Sequence, residues 1–591
     1  MADYRAPLHD MMFVLQHIAG LETIAGFPEF GHATVEMTEG VLQEAARLFE
    51  AEVAPLNRVG DLEGSRVVAG SVVTAPGWKE AYSKYVDAGW GALPFPEEHG
   101  GGAFPWLAGL AVQEILTASN MAFSLGPLLT QGAIHAVLIH GDETLQGTFL
   151  PPMISGEWTG TMDLTEPQAG TDVGQIKTKA VLQADGTYRI SGQKIFITYG
   201  DHDMADNIIH LVLAKTPDAP AGTKGISMFI VPKVLVKPDG SLGERNDVKV
   251  VSVEHKLGIH ASPTCVMAFG DSEGAVGYLV GEEMKGMSYM FTMMNSARLS
   301  VGLEGLAISE RAYQQAVQYA YDRKQGTAIG APKGEQSSIV EHANVKRMLL
   351  TQKAYIEAMR CLMYDNAAFM DAALHDPDAD ARVSADLRAQ ILTPLSKAWG
   401  TDLGVELTSL ALQVHGGMGY IEETGVAQHF RDARIAPIYE GTNGIQAMDL
   451  VARKLPLAGG EAVRDLINWM TETASAAGEA GLGDMQAGVM EGVAKVTEAV
   501  MFFMGSQNDF NAVLSGATPF ATLLGQVVAG AYMAKAATVA TQLLAAGEGD
   551  EDFLRQKLVT STFYIEQLLP QAYGLLPSIT AGSKLLFEAS F

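Results

Sequence analysis

At 591 residues the chain is too long for one core, and three or four domains are expected. Its 48% hydrophobic and 18% charged composition is that of a folded protein, and a net charge of −28 excludes nucleic acid and anionic membranes as main partners, because both demand clustered Lys and Arg. Two cysteines, Cys265 and Cys361, make neither a disulfide scaffold nor a CxxC ligand pair, so a reducing cytoplasm and no metal centre are expected.

In chain order, Met1-Ala2-Asp3-Tyr4-Arg5 lacks the charged leader, apolar core and small-residue cleavage site of a secretion signal. Residues 1–40 read as an N-terminal extension: Pro7 begins a helix, and the run Met11-Met12-Phe13-Val14-Leu15 docks it on a larger body. Residues 41–158 read as a helical domain, with Leu42, Ala45, Ala46, Leu48, Phe49 and Val53 at helical spacing and Pro55 closing that helix. The Gly-rich break from Leu93 to Gly102 lacks the strand before it and the Lys-Ser/Thr after it that a phosphate loop needs, so it is a turn.

Near Thr159 the periodicity changes. Tyr188 to Thr198 combines strand formers with a turn at Gly192, and Asn207–Lys215 and Ile226–Val231 are β-branched runs typical of buried strands. Residues 159–282 are therefore expected to form a β-sandwich or barrel. Helix returns at Met284, and the segments 285–321, 341–371, 382–414, 422–431 and 442–454 suffice for a helical bundle over residues 283–455. Leu457-Ala458-Gly459-Gly460 reads as a linker, and residues 456–591, sparse in charge, as an additional C-terminal helical domain. The stretch nearest to a membrane span, Leu524 to Ala546, is interrupted by Gln526 and Lys535 and reads as a buried helix. The expectation is a soluble protein with no membrane insertion.

Four stretches hold candidate chemistry. Glu440, in Ala436-Pro437-Ile438-Tyr439-Glu440-Gly441-Thr442-Asn443-Gly444, is either a cap for the helix that follows or a chemical group, since carboxylates rarely sit behind so apolar a run. Leu164 to Asp172 exposes backbone N–H groups and hydroxyls around Gly170, suiting an anionic or ring-edge ligand, unless it is an ordinary Thr- or Asp-stabilised loop. Gln413-Val414-His415-Gly416-Gly417-Met418-Gly419 offers three glycines at a helix end, where a C-cap explains one; His415 there helps to position the loop. Arg298 is a lone cation on an apolar helix and needs an anionic partner or a route to solvent.

Together these stretches resemble the acyl-CoA dehydrogenase family. Leu164 to Asp172 is similar to its first signature, with Asp163 and Gln175 where small residues are usual, and Gln413 to Asp432 to its second, with Gln428 in place of Lys or Arg. Ile438-Tyr439-Glu440-Gly441-Thr442 resembles the catalytic-base motif, and Asp322-Arg323-Lys324-Gln325 the flavin-contacting Asp-Arg motif without its Phe-Gly. The resemblance implies a mainly α fold with a central β domain: helical domain, β-barrel or sandwich, and four-helix bundle. It implies FAD as cofactor, an acyl-CoA substrate and an electron-accepting flavoprotein. By the same carry-over, Leu164, Thr165, Thr171, Phe196 and Thr198 face the isoalloxazine or its phosphates, and Arg323 contacts the flavin. Gln413, Gly416 and Gly417 reach the adenine half, held by a neighbouring subunit, Thr442 touches the pyrophosphate, and Arg298 and Gly441 meet the substrate. A shared flavin implies a homo-oligomer, and the bulky C-terminal domain favours a dimer over a tetramer. Both ends, Tyr4 to Met11 and the domain after Leu455, resemble a long subgroup that acts on 3-methylthiopropionyl thioesters in bacterial breakdown of dimethylsulfoniopropionate.

The implied reaction removes two hydrogens from adjacent carbons of a thioester. The α C–H is weakly acidic and needs a carboxylate in a water-poor pocket, which is Glu440's setting. The β hydrogen leaves as hydride, which requires the flavin. By resemblance, the Glu440 N–H and a ribityl hydroxyl polarise the thioester carbonyl. Some family members carry the base just before the Arg that Arg298 matches; here that position is Ala297, which leaves Glu440. Met284, Met287, Met290, Met293 and Met294 form a stripe that is either core or, in part, a thioether-accepting acyl pocket. A fatty acyl-CoA dehydrogenase or an acyl-CoA oxidase shares fold, flavin and Glu, whereas a DNA-binding flavoprotein would want a basic C-terminal domain that this chain lacks.

Overall fold

The structure is a computed structural model that describes residues 4–591 apart from the side chain of Asn295; Met1 to Asp3 lie outside the described residues. The chain forms two compact units, each assembled from separate segments: residues 45–104 with 119–297, and residues 1–44 with 105–118 and 298–591.

The first of these carries the β structure. One mixed sheet runs in the order Val248–Val253, Thr264–Phe269, Tyr188–Thr198, Ala275–Leu279, Ile226–Pro232, Asn207–Lys215, Trp158–Asp163, with Lys179–Leu182 paired to the side. Pairing is antiparallel except where Asn207–Lys215 runs parallel to Trp158–Asp163 and, at Lys179 beside Lys215, to Lys179–Leu182. Tyr188, Ile190, Val212, Phe229, Val231 and Phe269 fill its core. Asn207 to Ala214 is buried without interruption, as its unbroken apolar run dictates for a strand covered on both faces. Gly192 does not turn the chain: the strand continues through it, and a Cβ there would lie 2.4 Å from Thr178 Oγ1, so the glycine serves a close approach. The helical reading of residues 41–158 also missed a hairpin, Arg66–Val68 with Ser71–Val73, too short to carry a readable alternation.

The second unit is all helical. Its long members are Gly286–Asp322 (from Arg298 on), Ala343–His375, Ala379–His415 and Ala517–Ala546, and helix resumes after Met284 at Gly286, two residues later than expected. The N-terminal helix Leu8–His17 docks through Phe13, Val14 and Leu15, as its apolar run requires, and it is tied to the far end of the chain. Asp10 takes both Arg360 and Lys557; Arg360 also holds Glu114 at 2.6 Å and Glu310 at 2.9 Å, and Lys557 holds Glu357 at 2.8 Å. His9 stacks on Phe553 at 4.0 Å, and Lys535 Nζ donates to Ile18 O at 2.8 Å. Leu457–Gly460 is a tight turn, with Ala458 at φ +49° and Gly459 at +66°.

Two helices among the described residues are long and apolar enough to cross a membrane: Ala517–Ala546, and Met121–His140, which the sequence reading passed over. Both are core helices, 89% and 78% buried over their most apolar windows.

Candidate functional site

The loop that carries Glu440 is set by two helices whose backbones touch. On Gly286–Asp322, Gly302 and Gly305 face Ser396 and Gly400 of Ala379–His415: a Cβ on Gly302 would lie 2.5 Å from Ser396 O, and one on Gly305 2.2 Å from Gly400 O. Only glycine permits so close a crossing. Lys397 and Thr401 follow on the same stretch, and both grip Asn443 Oδ1, at 2.8 Å and 3.2 Å. Asn443 Nδ2 in turn donates to Asp402 Oδ1 at 2.7 Å and to Ala398 O at 3.0 Å.

Within this frame Glu440 stands at φ +54°, a left-handed conformation costly for a glutamate, followed by Gly441 at +81°. Thr442 Oγ1 accepts from Ile445 N at 3.2 Å, so Thr442, and not Glu440, caps the helix Asn443–Asp449. That removes the alternative use of the Glu440 carboxylate. Glu440 is half-buried, and burial raises its carboxyl above the ordinary range, opposed by Arg298 and Lys397. The Glu440 N–H makes no hydrogen bond among the described residues. Arg298, buried on its helix, has the anionic partner its sequence demanded: Nη1 lies 4.0 Å from Asp449 Oδ2, and Asp449 also takes Arg453. Gly441 is bounded by both, since a Cβ there would lie 2.8 Å from Gln446 Nε2 and 3.9 Å from Arg298 Nη2. Glu440, Gly441, Thr442 and Arg298 are thus brought together.

Gln413, Gly416 and Gly417 are not part of that cluster. Sixteen residues of helix separate Gln413 from Lys397, about 24 Å. All three are exposed. Gly416 at φ +58° ends the helix, and a Cβ on Gly419 would lie 2.3 Å from Leu412 O, but a Cβ on Gly417 would meet nothing. The chain's own packing therefore explains two of the three glycines. His415 is buried, bonded to Ala411 O at 2.8 Å and stacked on Tyr319 at 4.4 Å, so it positions the loop. Arg323 is exposed, its Nη2 donating to Gln325 Oε1 at 3.1 Å.

In the β-bearing unit, Ile195 N donates to Thr165 O at 2.9 Å, which sets the Leu164–Thr165 loop beside Phe196, and Thr161 Oγ1 donates to Thr198 O at 2.7 Å. Phe196 is held at φ +60° with 59% of its surface exposed. An aromatic ring kept both strained and exposed fits a flat ligand, and in the same unit the open space at Gly170 fits close backbone approach to a phosphate, as FAD requires. Thr171 lies exposed on the loop beyond Gly170. The residue that pins this loop was not among the sequence candidates. Lys194, fully buried, donates to Leu164 O at 3.0 Å and to Glu166 Oε1 at 2.9 Å. Glu166 also accepts from Thr178 Oγ1 at 2.5 Å and Lys177 N at 2.7 Å. A lysine on an otherwise strand-forming run was the available signal.

Family comparisons match this arrangement segment by segment. The acyl-CoA dehydrogenase N-terminal domain matches residues 36–157, the middle domain 161–272 and the C-terminal domain 284–455, while an acetyl-CoA dehydrogenase C-terminal-like domain matches 464–590. The 3-methylmercaptopropionyl-CoA dehydrogenase of Ruegeria pomeroyi is 42% identical over 590 residues, covering 99% of this chain and 100% of its own. The butyryl-CoA dehydrogenase structure from Megasphaera elsdenii superposes with a TM-score of 0.58 at 27% identity, over 71% of this chain and 98% of its own. A Bacillus anthracis acyl-CoA dehydrogenase complexed with FAD shares the fold, with a TM-score of 0.73 at 19% identity over 94% of this chain and 89% of its own. The chain belongs to the acyl-CoA dehydrogenase family.

Proposed function

We propose that this protein converts 3-methylthiopropionyl-CoA to 3-methylthioacryloyl-CoA, with Glu440 as the base. As a member of its family it is an FAD-dependent oxidoreductase. The observation that carries the chemistry is Glu440 itself, released from capping by Thr442, raised in basicity by burial and flanked by Arg298. The thioether substrate is supported by similarity to the Ruegeria protein along both chains' full length, extensions included.

Glu440 takes the α proton. Its N–H, without a partner among the described residues, serves as donor to the thioester carbonyl and stabilises the negative charge that develops there. Arg298 and Lys397 oppose the rise that burial imposes on the Glu440 carboxyl and so favour the ionised base. FAD, when bound, accepts the β hydrogen as hydride, which no side chain can do. By the family resemblance, the Leu164–Thr165 loop and Phe196 would hold its ring, Thr442 would touch its pyrophosphate, and Gln413, Gly416 and Gly417 of a neighbouring copy would reach its adenine half. Of the methionine stripe, Met290 and Met293 are fully buried and Met293 packs on Gly132, so they are core. The exposed Met284 and the half-buried Met287 and Met294 are the members left to meet a thioether chain.

Electrons pass to an electron-accepting flavoprotein, and the protein works as a cytoplasmic homodimer in dimethylsulfoniopropionate breakdown. A second reading, a straight short-chain acyl-CoA as substrate, is favoured by the likeness to the Megasphaera butyryl-CoA dehydrogenase. Anaerobic reduction of the bound flavin by a panel of acyl-CoAs decides between them. The proposal expects 3-methylthiopropionyl-CoA to bleach it fastest; faster bleaching by butyryl-CoA supports the second reading. Peroxide in place of flavoprotein reduction would mark an oxidase.

A further inference from the structure

Glu440's left-handed backbone persists only if its surroundings fix the loop on both sides. On the C-terminal side the tethers are plain: Asn443 bound to Lys397, Thr401 and Asp402, and Gln446 Nε2 donating to Gly441 O at 3.3 Å. On the N-terminal side the loop is tied through Tyr439, whose hydroxyl donates to Glu304 Oε2. Glu304 is fully buried on the helix Gly286–Asp322, one residue before Gly305 of the close crossing, and its Oε1 has no hydrogen-bond partner among the described residues. A buried, half-satisfied carboxyl is a costly choice for a packing position.

We propose that Glu304 is a positioning residue for Glu440: its buried carboxyl anchors Tyr439 and thereby fixes the turn that aims the base, without exchanging a proton with substrate. The proposal rests on the reading of Glu440 as the base. The groups facing Glu304 are Tyr439, Lys397 and Glu440. Burial pushes its carboxyl up to about 8, against the Tyr439 bond and Lys397, so near neutral pH it is largely uncharged. Tyr439 therefore needs an acceptor oxygen, not a charge, and glutamine supplies one.

The test is the rate of anaerobic flavin reduction by 3-methylthiopropionyl-CoA and by butyryl-CoA in E304Q, E304L, Y439F, Y439F/E304L and E440Q holoenzymes. A mis-aimed base slows proton removal while binding is kept. Expected are losses of about tenfold to a hundredfold in E304L and Y439F with KM within about twofold, a double variant no slower than the slower single, and E304Q within about threefold of wild type. Loss in E304Q equal to that in E304L, wild-type speed in Y439F, or multiplying losses in the double variant would overturn it. Should E304L not fold, E304Q and Y439F still decide. Wild-type speed in E440Q would instead remove the base reading itself.

Discussion

Replacing Asp10 tests whether the two ends of the chain are one folded body. Asp10 lies on the N-terminal helix and pairs with Arg360 and Lys557, the latter 547 residues away in sequence. Burial alone would raise its carboxyl, but Lys557 and Arg360 outweigh it and hold it well below the carboxylate range. Asp10→Ala leaves two buried cations each short of a partner. Breaking a buried pair costs about 3–5 kcal/mol. Here Arg360 keeps Glu114 and Glu310, and Lys557 keeps Glu357, so the cost falls at the low end, about 3 kcal/mol. In urea unfolding of the holoprotein followed by fluorescence, the midpoint should fall by about 1 M. Asp10→Asn, with nearly the same volume, should lose about as much, which separates charge from packing. The folded carboxyl titrates below its unfolded value of 3.8, so its contribution is present above that pH and lost as pH falls through the lowered one. The gap between wild type and Asp10→Asn should accordingly narrow in acid. An unchanged midpoint, or a gap that widens on acidification, refutes the reasoning.

Three further outcomes follow from the same geometry. Lys194→Met removes the cation that holds Glu166 and Leu164 O, and the purified protein should retain less FAD, read from its visible flavin absorbance; full flavin content would contradict the pinned loop. Glu304 has a folded value near 8 against 4.5 unfolded, so its contribution is present below the unfolded value and lost as pH rises through the folded one. Glu304→Gln should therefore gain stability relative to wild type from pH 5 to 8, by at most roughly 4 kcal/mol, and a flat difference would show that this carboxyl does not stay protonated in the fold. Gly417→Ala should leave the melting temperature unchanged and weaken FAD retention, whereas Gly419→Ala, driven against Leu412 O, should lower the melting temperature; equal melting losses would mean that Gly417 serves packing alone.

Much of the fold was legible because long periodic runs leave few options. Asn207–Lys215 appears with the expected bounds, and the long bundle helices differ from expectation by a few residues at their ends. What was lost depends on contacts between distant residues. Gly192 looks like a turn until Thr178 is known to lie against it. The N-terminal extension and C-terminal helices read as separate pieces, yet Asp10 and Lys557 join them in one unit. Glu304 passes for a surface residue of a helix; its place in Gly302-Leu303-Glu304-Gly305, amid an apolar run, was the overlooked sign of burial. At the site, Glu440 stood out by its setting, but its left-handed backbone and the transfer of capping to Thr442 emerge only in three dimensions.

The central claim is that Glu440 takes the α proton. Anaerobic stopped-flow reduction of the bound flavin by 3-methylthiopropionyl-CoA tests it most directly, across pH and in Glu440→Gln. Because burial raises the carboxyl above its ordinary 4.5, the wild-type rate should climb with pH through a value above 4.5, as the base ionises. The amide variant, folded and flavin-loaded, should be slower by a factor of about a thousand or more, with no such limb. Reduction of Glu440→Gln at the wild-type rate, with the pH limb intact, would contradict the account.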